Sequence, residues 1–155
     1  MRIRRILAPT DFSTISLAAV DYAASLARDV GAELALLYVE DTAYALPAEL
    51  VSSATGTRVM EEAHRAAQHQ LTLLANRLRK PGLKVHTLVL TGPAATRIVG
   101  AASKLRADWI VMGTHGRTGI ARAFLCSIAE RVVQQATCPV LMVPSHKAPA
   151  RRARR

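Results

Sequence analysis

The sequence contains few cysteines, few aromatic residues and no long apolar run, and each scarcity excludes a class of protein. The two cysteines, Cys126 and Cys138, are too few for a disulfide scaffold and lack the spacing of metal ligands. No apolar stretch approaches the roughly 20 residues that a transmembrane helix needs. The apolar segment after the basic N-terminus stops at Pro9, which is too short for the apolar part of a signal peptide. We therefore expect a cytoplasmic protein without a membrane partner.

Positive charge is concentrated near the C-terminus. The formal net charge is +10, and part of it comes from a cluster in the last residues, at Lys147, Arg151, Arg152, Arg154 and Arg155. This segment has no apolar periodicity, so we predict one folded domain over residues 1–144 and a disordered basic tail over residues 145–155. The tail either attracts nucleic acid without specificity or only solubilises the chain. The second interpretation is favoured, and no nucleic-acid partner is expected, because interleaved aromatic residues for base stacking are lacking.

Strand and helix patterns alternate along the whole domain. Apolar runs predict five strands, at residues 3–8, 33–39, 85–90, 109–112 and 140–143. Apolar stripes at helical spacing predict four helices between them. These apolar positions are Ala19, Ala23, Leu26 and Val30 in the first helix, Met60, Ala63, Ala67, Leu71, Leu74 and Leu78 in the second, Ile98, Ala102 and Leu105 in the third, and Leu125, Ile128, Val132 and Ala136 in the fourth.

Local signals mark the ends of several of these helices. Ser13 or Thr14 is expected to cap the first helix, and Gly31 to end it. Residues 40–56 are predicted to form a loop, part of which is helical, before the second helix. Pro93 is predicted at the first helical position of the third helix, where its missing N–H costs little. Pro139 opens the fifth strand, a position that proline tolerates best at a sheet edge. Cys138, which precedes it, is expected in the core.

Five strands alternating with four helices predict an α/β fold, a three-layer sandwich around a parallel sheet. Ligands of such sheets bind beyond the carboxyl ends of the strands, where the strand order reverses. The loops at that end begin at Pro9, Val39, Gly92 and Met112. If the first and fourth strands are central neighbours, as in the order 3-2-1-4-5, three of these loops meet at one crevice.

A glycine-rich segment follows the fourth strand. Residues 111–119 read Val-Met-Gly-Thr-His-Gly-Arg-Thr-Gly, and Cys126-Ser127 follow before the last helical pattern. A strand, a glycine-rich turn and a helix N-terminus in series can form a phosphate cradle, because glycines let backbone N–H groups approach an anion. The alternative is a tight left-handed turn before an ordinary helix.

Several motifs together resemble the universal stress protein family, over about residues 2–144. They are Ile-Leu-Ala-Pro-Thr-Asp-Phe-Ser at 6–13, Leu-Leu-Tyr-Val at 36–39, Gly92, Gly-Thr-His-Gly-Arg-Thr-Gly at 113–119, Ala-Glu-Arg-Val-Val at 129–133 and Cys-Pro-Val-Leu-Met-Val-Pro at 138–144. The resemblance implies an adenine nucleotide alpha hydrolase-like fold with the sheet order 3-2-1-4-5. It also implies a homodimer joined near the fifth strand, Val140–Val143.

The resemblance also implies a set of nucleotide-binding positions. In nucleotide-binding members, the aspartate after the first strand and the backbone at the end of the second hold the adenosine, and the glycine loop holds ribose and phosphates. The matching positions in this sequence are Pro9, Thr10, Asp11, Val39, Met112, Gly113, His115, Gly116, Arg117, Cys126, Ser127 and Ile128.

Several of these residues also have an ordinary structural interpretation. Asp11 either contacts the ligand or only caps the turn before the first helix. His115 either contacts phosphate or faces solvent, and Ser127 either binds phosphate or is a common first-turn serine. Arg117 is the favoured charged partner for phosphate, and Arg122 competes with it.

One position departs from the pattern of ATP-binding members. They have a glycine where this chain has Cys126, and a side chain there either collides with the phosphates or is accommodated by a negative φ. The resemblance therefore predicts a homodimeric regulator in the stress response that binds ATP, with Mg²⁺ as an accompanying ion, and contacts a protein partner. The alternative is a family member that does not bind ATP and acts as a scaffold or signalling module. No enzyme activity is expected beyond slow ATP hydrolysis, in which Mg²⁺ and Asp11 would orient water.

Overall fold

The computed structural model describes residues 2–41, 52–114 and 127–144, and strands alternate with helices in these ranges. The strands are β1 Arg5–Pro9, β2 Glu33–Glu40, β3 Val85–Thr91, β4 Trp109–Gly113 and β5 Val140–Val143. The helices are α1 Thr14–Val30, α2 Ala54–Leu78, α3 Ala94–Leu105 and α4 Ser127–Gln135.

The five strands form one parallel sheet in the order β3-β2-β1-β4-β5, which confirms the predicted fold. Strand β1 lies at the centre, where Ile6 pairs with Leu34 on one side and with Trp109 on the other. Strand β5 is an edge strand, so Pro139 precedes it without interrupting a central ladder. The predicted bounds of the strands agree with the structure to within two residues.

The hydrophobic core has two layers, one on each face of the sheet. Ile6 and Leu36 face α1 and α2 on one side, whereas Leu7, Leu37 and Ile110 face α3 and α4 on the other. Successive residues of a strand point to opposite faces, and both faces of β1, β2 and β4 are covered. These strands are therefore almost continuously apolar in the sequence, as expected for a parallel sheet.

The local signals at the ends of α1 have the predicted roles. Ser13 is the N-cap, and its side-chain oxygen accepts a hydrogen bond of 3.2 Å from Ser16 N–H. Gly31 adopts a left-handed φ of 69°, and its N–H reaches the last carbonyls of the helix.

Helix α2 differs from the prediction in its start and in its apolar face. It begins at Ala54, inside the segment predicted as a loop, because Ser53 Oγ caps it through Gly56 N–H at 3.0 Å. The predicted apolar face is buried only from Ala67 onward. Its first two members, Met60 and Ala63, are exposed. A helix of 25 residues is about 37 Å long, whereas the 7 residues of β3 span about 23 Å, so the first turns of α2 extend past the sheet.

Three smaller differences concern single residues. Pro93 is the N-cap of α3 rather than its first helical residue, since its ψ of 120° is not helical. Leu105, expected to be buried, is half-buried at the edge of the core. Cys138, expected in the core, is half-buried and free, and burial raises the pKa of its thiol.

Within the described ranges, no helix combines the length and the apolar character needed to cross a bilayer. The predicted tail at residues 145–155 and the apolar position Leu125 lie outside the described residues.

Candidate functional site

The candidate site lies at the carboxyl ends of β1 and β4. The two strands are neighbours, and the described helices that follow them lie on opposite faces of the sheet. Helix α1 follows β1 on one face, and α4 comes after β4 in the chain and lies on the other face. Adjacent strands with connections to opposite faces leave a crevice between them, which is the common ligand position of such sheets.

The turn from β1 into α1 is held by side-chain hydrogen bonds. Phe12 N–H donates to Thr10 Oγ1 at 3.0 Å, and Ser13 N–H donates to Asp11 Oδ1 at 2.9 Å. Ser16 Oγ lies 3.0 Å from Thr10 Oγ1, and both side chains are buried. Asp11 therefore has the predicted structural role, since its carboxylate accepts a hydrogen bond that stabilises the turn. The same contacts fix its carboxylate at the mouth of the crevice.

Phe12 occupies a conformation that is costly for a residue with a side chain. Its φ is 61°, in the left-handed region that favours glycine. The ring packs against Tyr38 on β2, with 5.0 Å between the ring centroids. Phe12 is outside the predicted set of site residues, and nothing in the sequence signals its φ. Strain of this kind is often found at binding sites, where the surrounding contacts hold it in place.

Gly113 ends β4 and is in close contact with the first turn of α1. A Cβ at this position would lie 2.9 Å from Ile15 Cγ2 and 3.3 Å from Ile15 O. The space is thus filled by the protein itself, and packing alone accounts for a glycine here. Next to it, Met112 is buried and Thr114 N–H donates to Val143 O at 3.2 Å.

Strand β2 places Val39 on the third side of the crevice. Pro9 pairs with Leu37, and Thr10 N–H donates to Leu37 O at 2.8 Å. Asp11 and Val39 each come two residues after this pair, so the turn carrying the carboxylate lies beside the backbone at the end of β2.

The structure thus brings part of the predicted set together. The residues gathered around the ends of β1, β2 and β4 are Pro9, Thr10, Asp11, Val39, Met112 and Gly113. Ser127 starts α4, and Ile128 is half-buried against the face shared with α3. The remaining predicted residues, His115, Gly116, Arg117 and Cys126, lie outside the described residues.

A second polar cluster, which the sequence did not predict, lies at the ends of β2 and β3. Glu40 Oε2 lies 3.0 Å from His64 Nδ1 and accepts a hydrogen bond of 2.8 Å from Thr91 Oγ1. The other oxygen, Glu40 Oε1, is buried and has no hydrogen-bond partner among the described residues. The cluster borders an open groove of about 540 Å³ against the exposed start of α2, which Met60 also lines.

Comparison with known proteins gives a consistent result over almost the whole chain. The model of the universal stress protein family matches residues 2–144. Universal stress protein MJ0531 of Methanocaldococcus jannaschii is 40% identical over 146 residues, which cover 93% of this chain and 84% of that protein.

Solved structures agree with this likeness. The structure of MJ0577, a universal stress protein of the same organism, has a TM-score of 0.83 at 26% identity and covers 96% of this chain and 100% of that one. A universal stress protein from Archaeoglobus fulgidus, solved in complex with dAMP, has a TM-score of 0.64 over 92% of this chain and 98% of that one. At 23% identity, the second likeness shows the fold alone.

Proposed function

The chain belongs to the universal stress protein family, and we propose that it is a cytoplasmic homodimeric regulator that binds ATP, accompanied by Mg²⁺, at the β1–β4 crevice. The observation that carries the proposal is the position of Asp11 beside the end of β2 and the start of the glycine-rich segment at Gly113. The Archaeoglobus fulgidus protein, whose fold this chain shares, was solved in complex with dAMP.

The described residues fit the adenosine part of this ligand. A carboxylate offers about four acceptor positions, so Asp11 can hold its turn through Ser13 N–H and still accept a hydrogen bond from a ribose hydroxyl. The backbone of Val39 would take the base. The glycine-rich segment from Gly113 to Ser127 would hold the negatively charged phosphates.

The proposed role is regulatory rather than catalytic. Binding would change the surface near the crevice and so alter contact with a protein partner. A member that acts as a scaffold without ATP is the second candidate, and Cys126 in place of the family's glycine favours it.

Calorimetric titration with ATP and Mg²⁺ tests the proposal. We expect binding by the unmodified protein and about tenfold weaker binding by Asp11→Asn, equivalent to about 1.4 kcal/mol. Asparagine keeps the acceptor for Ser13 N–H, so the turn is retained. The matched control is Asp29→Asn, at an exposed position near the other end of α1, and it should bind like the unmodified protein.

Cys126→Gly separates the two candidate functions. Binding by Cys126→Gly but not by the unmodified protein would assign this chain to the scaffold branch through one side chain. Absence of binding by both would contradict a nucleotide site at this crevice.

A further inference from the structure

Basic residues gather at the end of the domain opposite the crevice, where strands begin and helices end. They are Arg2, Arg4 and Arg5 before or at the start of β1, Arg28 at the end of α1, Arg79, Lys80 and Lys84 between α2 and β3, and Lys104 and Arg106 at the end of α3. The acidic residues at this end are Asp29, Glu33 and Asp108. Arg77 also lies in the last turn of α2, where it pairs with Asp21 of α1. Elsewhere in the described ranges, four arginines stand against seven acidic side chains. The surplus of positive charge in the described domain therefore lies at this one end.

Two of the three acidic residues at this end are engaged with the basic ones. Asp108 Oδ2 accepts hydrogen bonds from the backbone of Arg4 at 2.7 Å and of Arg5 at 2.9 Å. Glu33 lies 3.4 Å from the Arg5 guanidinium and 3.5 Å from Lys84 Nζ. Strands β1, β2 and β3 are adjacent and about 4.8 Å apart. Glu33, at the start of β2, therefore lies between one cation on the β1 side, Arg5, and one on the β3 side, Lys84.

Helix dipoles explain only part of this arrangement. Cations in the last turn of a helix offset its partial negative charge, which accounts for Arg28 and Lys104. Arg4 and Lys84 precede strands and have no such role. Arg106 has a φ of 51°, where glycine would be unstrained, yet the position holds a cation.

From this charge distribution we infer a second function: the end of the domain where the strands begin binds the phosphate backbone of a nucleic-acid duplex, without sequence preference. Six of the nine cations are arginines, whose guanidinium groups match phosphate oxygens in a two-pronged geometry. Among the described residues, the exposed aromatic side chain is Tyr22, midway along α1. No exposed Phe, Tyr or Trp among the described residues lies at this end, since Trp109 at the start of β4 is half-buried. This surface therefore favours the backbone of a duplex over base stacking with a single strand. In the sequence only the tail stands out as basic, because these cations are scattered along the chain and come together only in the fold.

Fluorescence polarisation with a short labelled DNA duplex, at about 50 and 200 mM salt, tests this inference on the full chain. The end variant combines Arg4→Gln, Lys84→Gln and Arg106→Gly. The control combines Arg58→Gln, Arg65→Gln and Arg131→Gln, which makes the same change in charge at exposed positions elsewhere. Each lost phosphate contact should reduce the slope of log affinity against log salt by about 0.9.

We expect the end variant to lose more than tenfold in affinity at the lower salt and to reduce the slope by 2–3, by about 0.9 per contact. The affinity of the control variant should stay within about twofold of that of the unmodified protein, since its three arginines do not lie at the basic end. Arg106→Gly alone should also weaken binding, and it removes a strained φ, so unfolding would not explain the loss.

Three results would overturn the inference. One is an equal loss in the end variant and the control, which would mean that only net charge matters. Another is binding that disappears when the tail residues Lys147, Arg151, Arg152, Arg154 and Arg155 are changed to Gln but not in the end variant. A third is end-dependent binding to anionic vesicles without binding to the duplex, which would identify a lipid surface. ATP titration of the end variant, expected to be unchanged, keeps this test separate from the proposed nucleotide site.

Discussion

His64 Nδ1 lies 3.0 Å from Glu40 Oε2, and this contact ties the early turns of α2 to the end of β2. The first turns of that helix extend past the sheet, and Met60 beside His64 is exposed. Polar contact therefore fixes this part of the helix, where apolar burial is limited.

A double-mutant cycle measures the strength of this contact. Glu40→Ala and His64→Ala should each lower the free energy of unfolding, with a coupling of about 0.5–1 kcal/mol, because both side chains are partly exposed. Urea unfolding provides the values. His69→Ala, an exposed histidine of the same helix, is the control and should not couple to Glu40→Ala. Additive effects of the first pair would show that the contact contributes nothing to stability.

The open edge of β5 predicts how the proposed dimer can be broken without unfolding the subunit. Ile110 N–H donates to Pro139 O at 3.0 Å, and Thr114 N–H donates to Val143 O at 3.2 Å. Backbone groups along a strand point alternately to either side. Val140 and Met142 therefore direct their N–H and C=O groups away from β4, toward the free edge.

Met142→Pro removes an outward N–H and leaves the ladder to β4 in place. We expect light scattering to report a dimer for the unmodified protein and a folded monomer for this variant. Leu141→Pro is the matched comparison, since its N–H faces β4, and it should destabilise the subunit itself. A dimer that survives Met142→Pro would place the interface away from this edge.

The φ of Phe12 predicts an unusual order of stability among substitutions. Phe12→Ala loses the packing against Tyr38 and keeps the left-handed strain, whereas Phe12→Gly loses the same packing and relieves the strain. Urea unfolding should therefore find Phe12→Gly more stable than Phe12→Ala by about 1 kcal/mol. The reverse order would mean that this turn is not held in the left-handed conformation.

Asp108 predicts a stability difference that depends on pH. Hydrogen bonds from the backbone of Arg4 and Arg5 lower the pKa of its carboxyl group. A lowered folded pKa adds stability that is complete above the unfolded value, about 3.9, and is lost as pH falls through the folded pKa. At pH 7, Asp108→Asn should cost about 1 kcal/mol.

This cost should shrink below about pH 4, as the unmodified protein takes up its proton. Urea unfolding from neutral to acid pH measures it. Asp29→Asn, at an exposed position, should show no such trend. A cost independent of pH would indicate that the charge of Asp108 is not involved.

The parts of this fold that the sequence predicts are those with local physical signals. Ser13 and Gly31 determine the ends of α1 through their own side-chain and backbone chemistry, and the buried strands are apolar runs. The order of the strands came from the resemblance to a family, since no local pattern encodes it. The start of α2 falls inside the predicted loop because Ser53 caps the helix ahead of Gly56, a residue of low helix propensity.

Residues that meet only through the fold could not be predicted. Glu40 and His64 are far apart in the sequence, and neither has a pattern that pairs them. The same is true of the cations gathered near Glu33. Of the predicted nucleotide-binding set, His115, Gly116, Arg117 and Cys126 lie outside the described residues, so their roles remain predictions.

The parallel topology gives the two ends of the domain different sources of positive charge. Each described helix runs antiparallel to the strands, so the N-termini of these four helices, with their partial positive charge, point toward the crevice end. That charge acts only within about one helical turn, whereas the side-chain charge at the opposite end reaches over a screening length of about 8–10 Å. A nucleotide at the proposed crevice site would therefore be stabilised by the nearby helix N-termini, while the side chains at the opposite end would attract anions over a longer range.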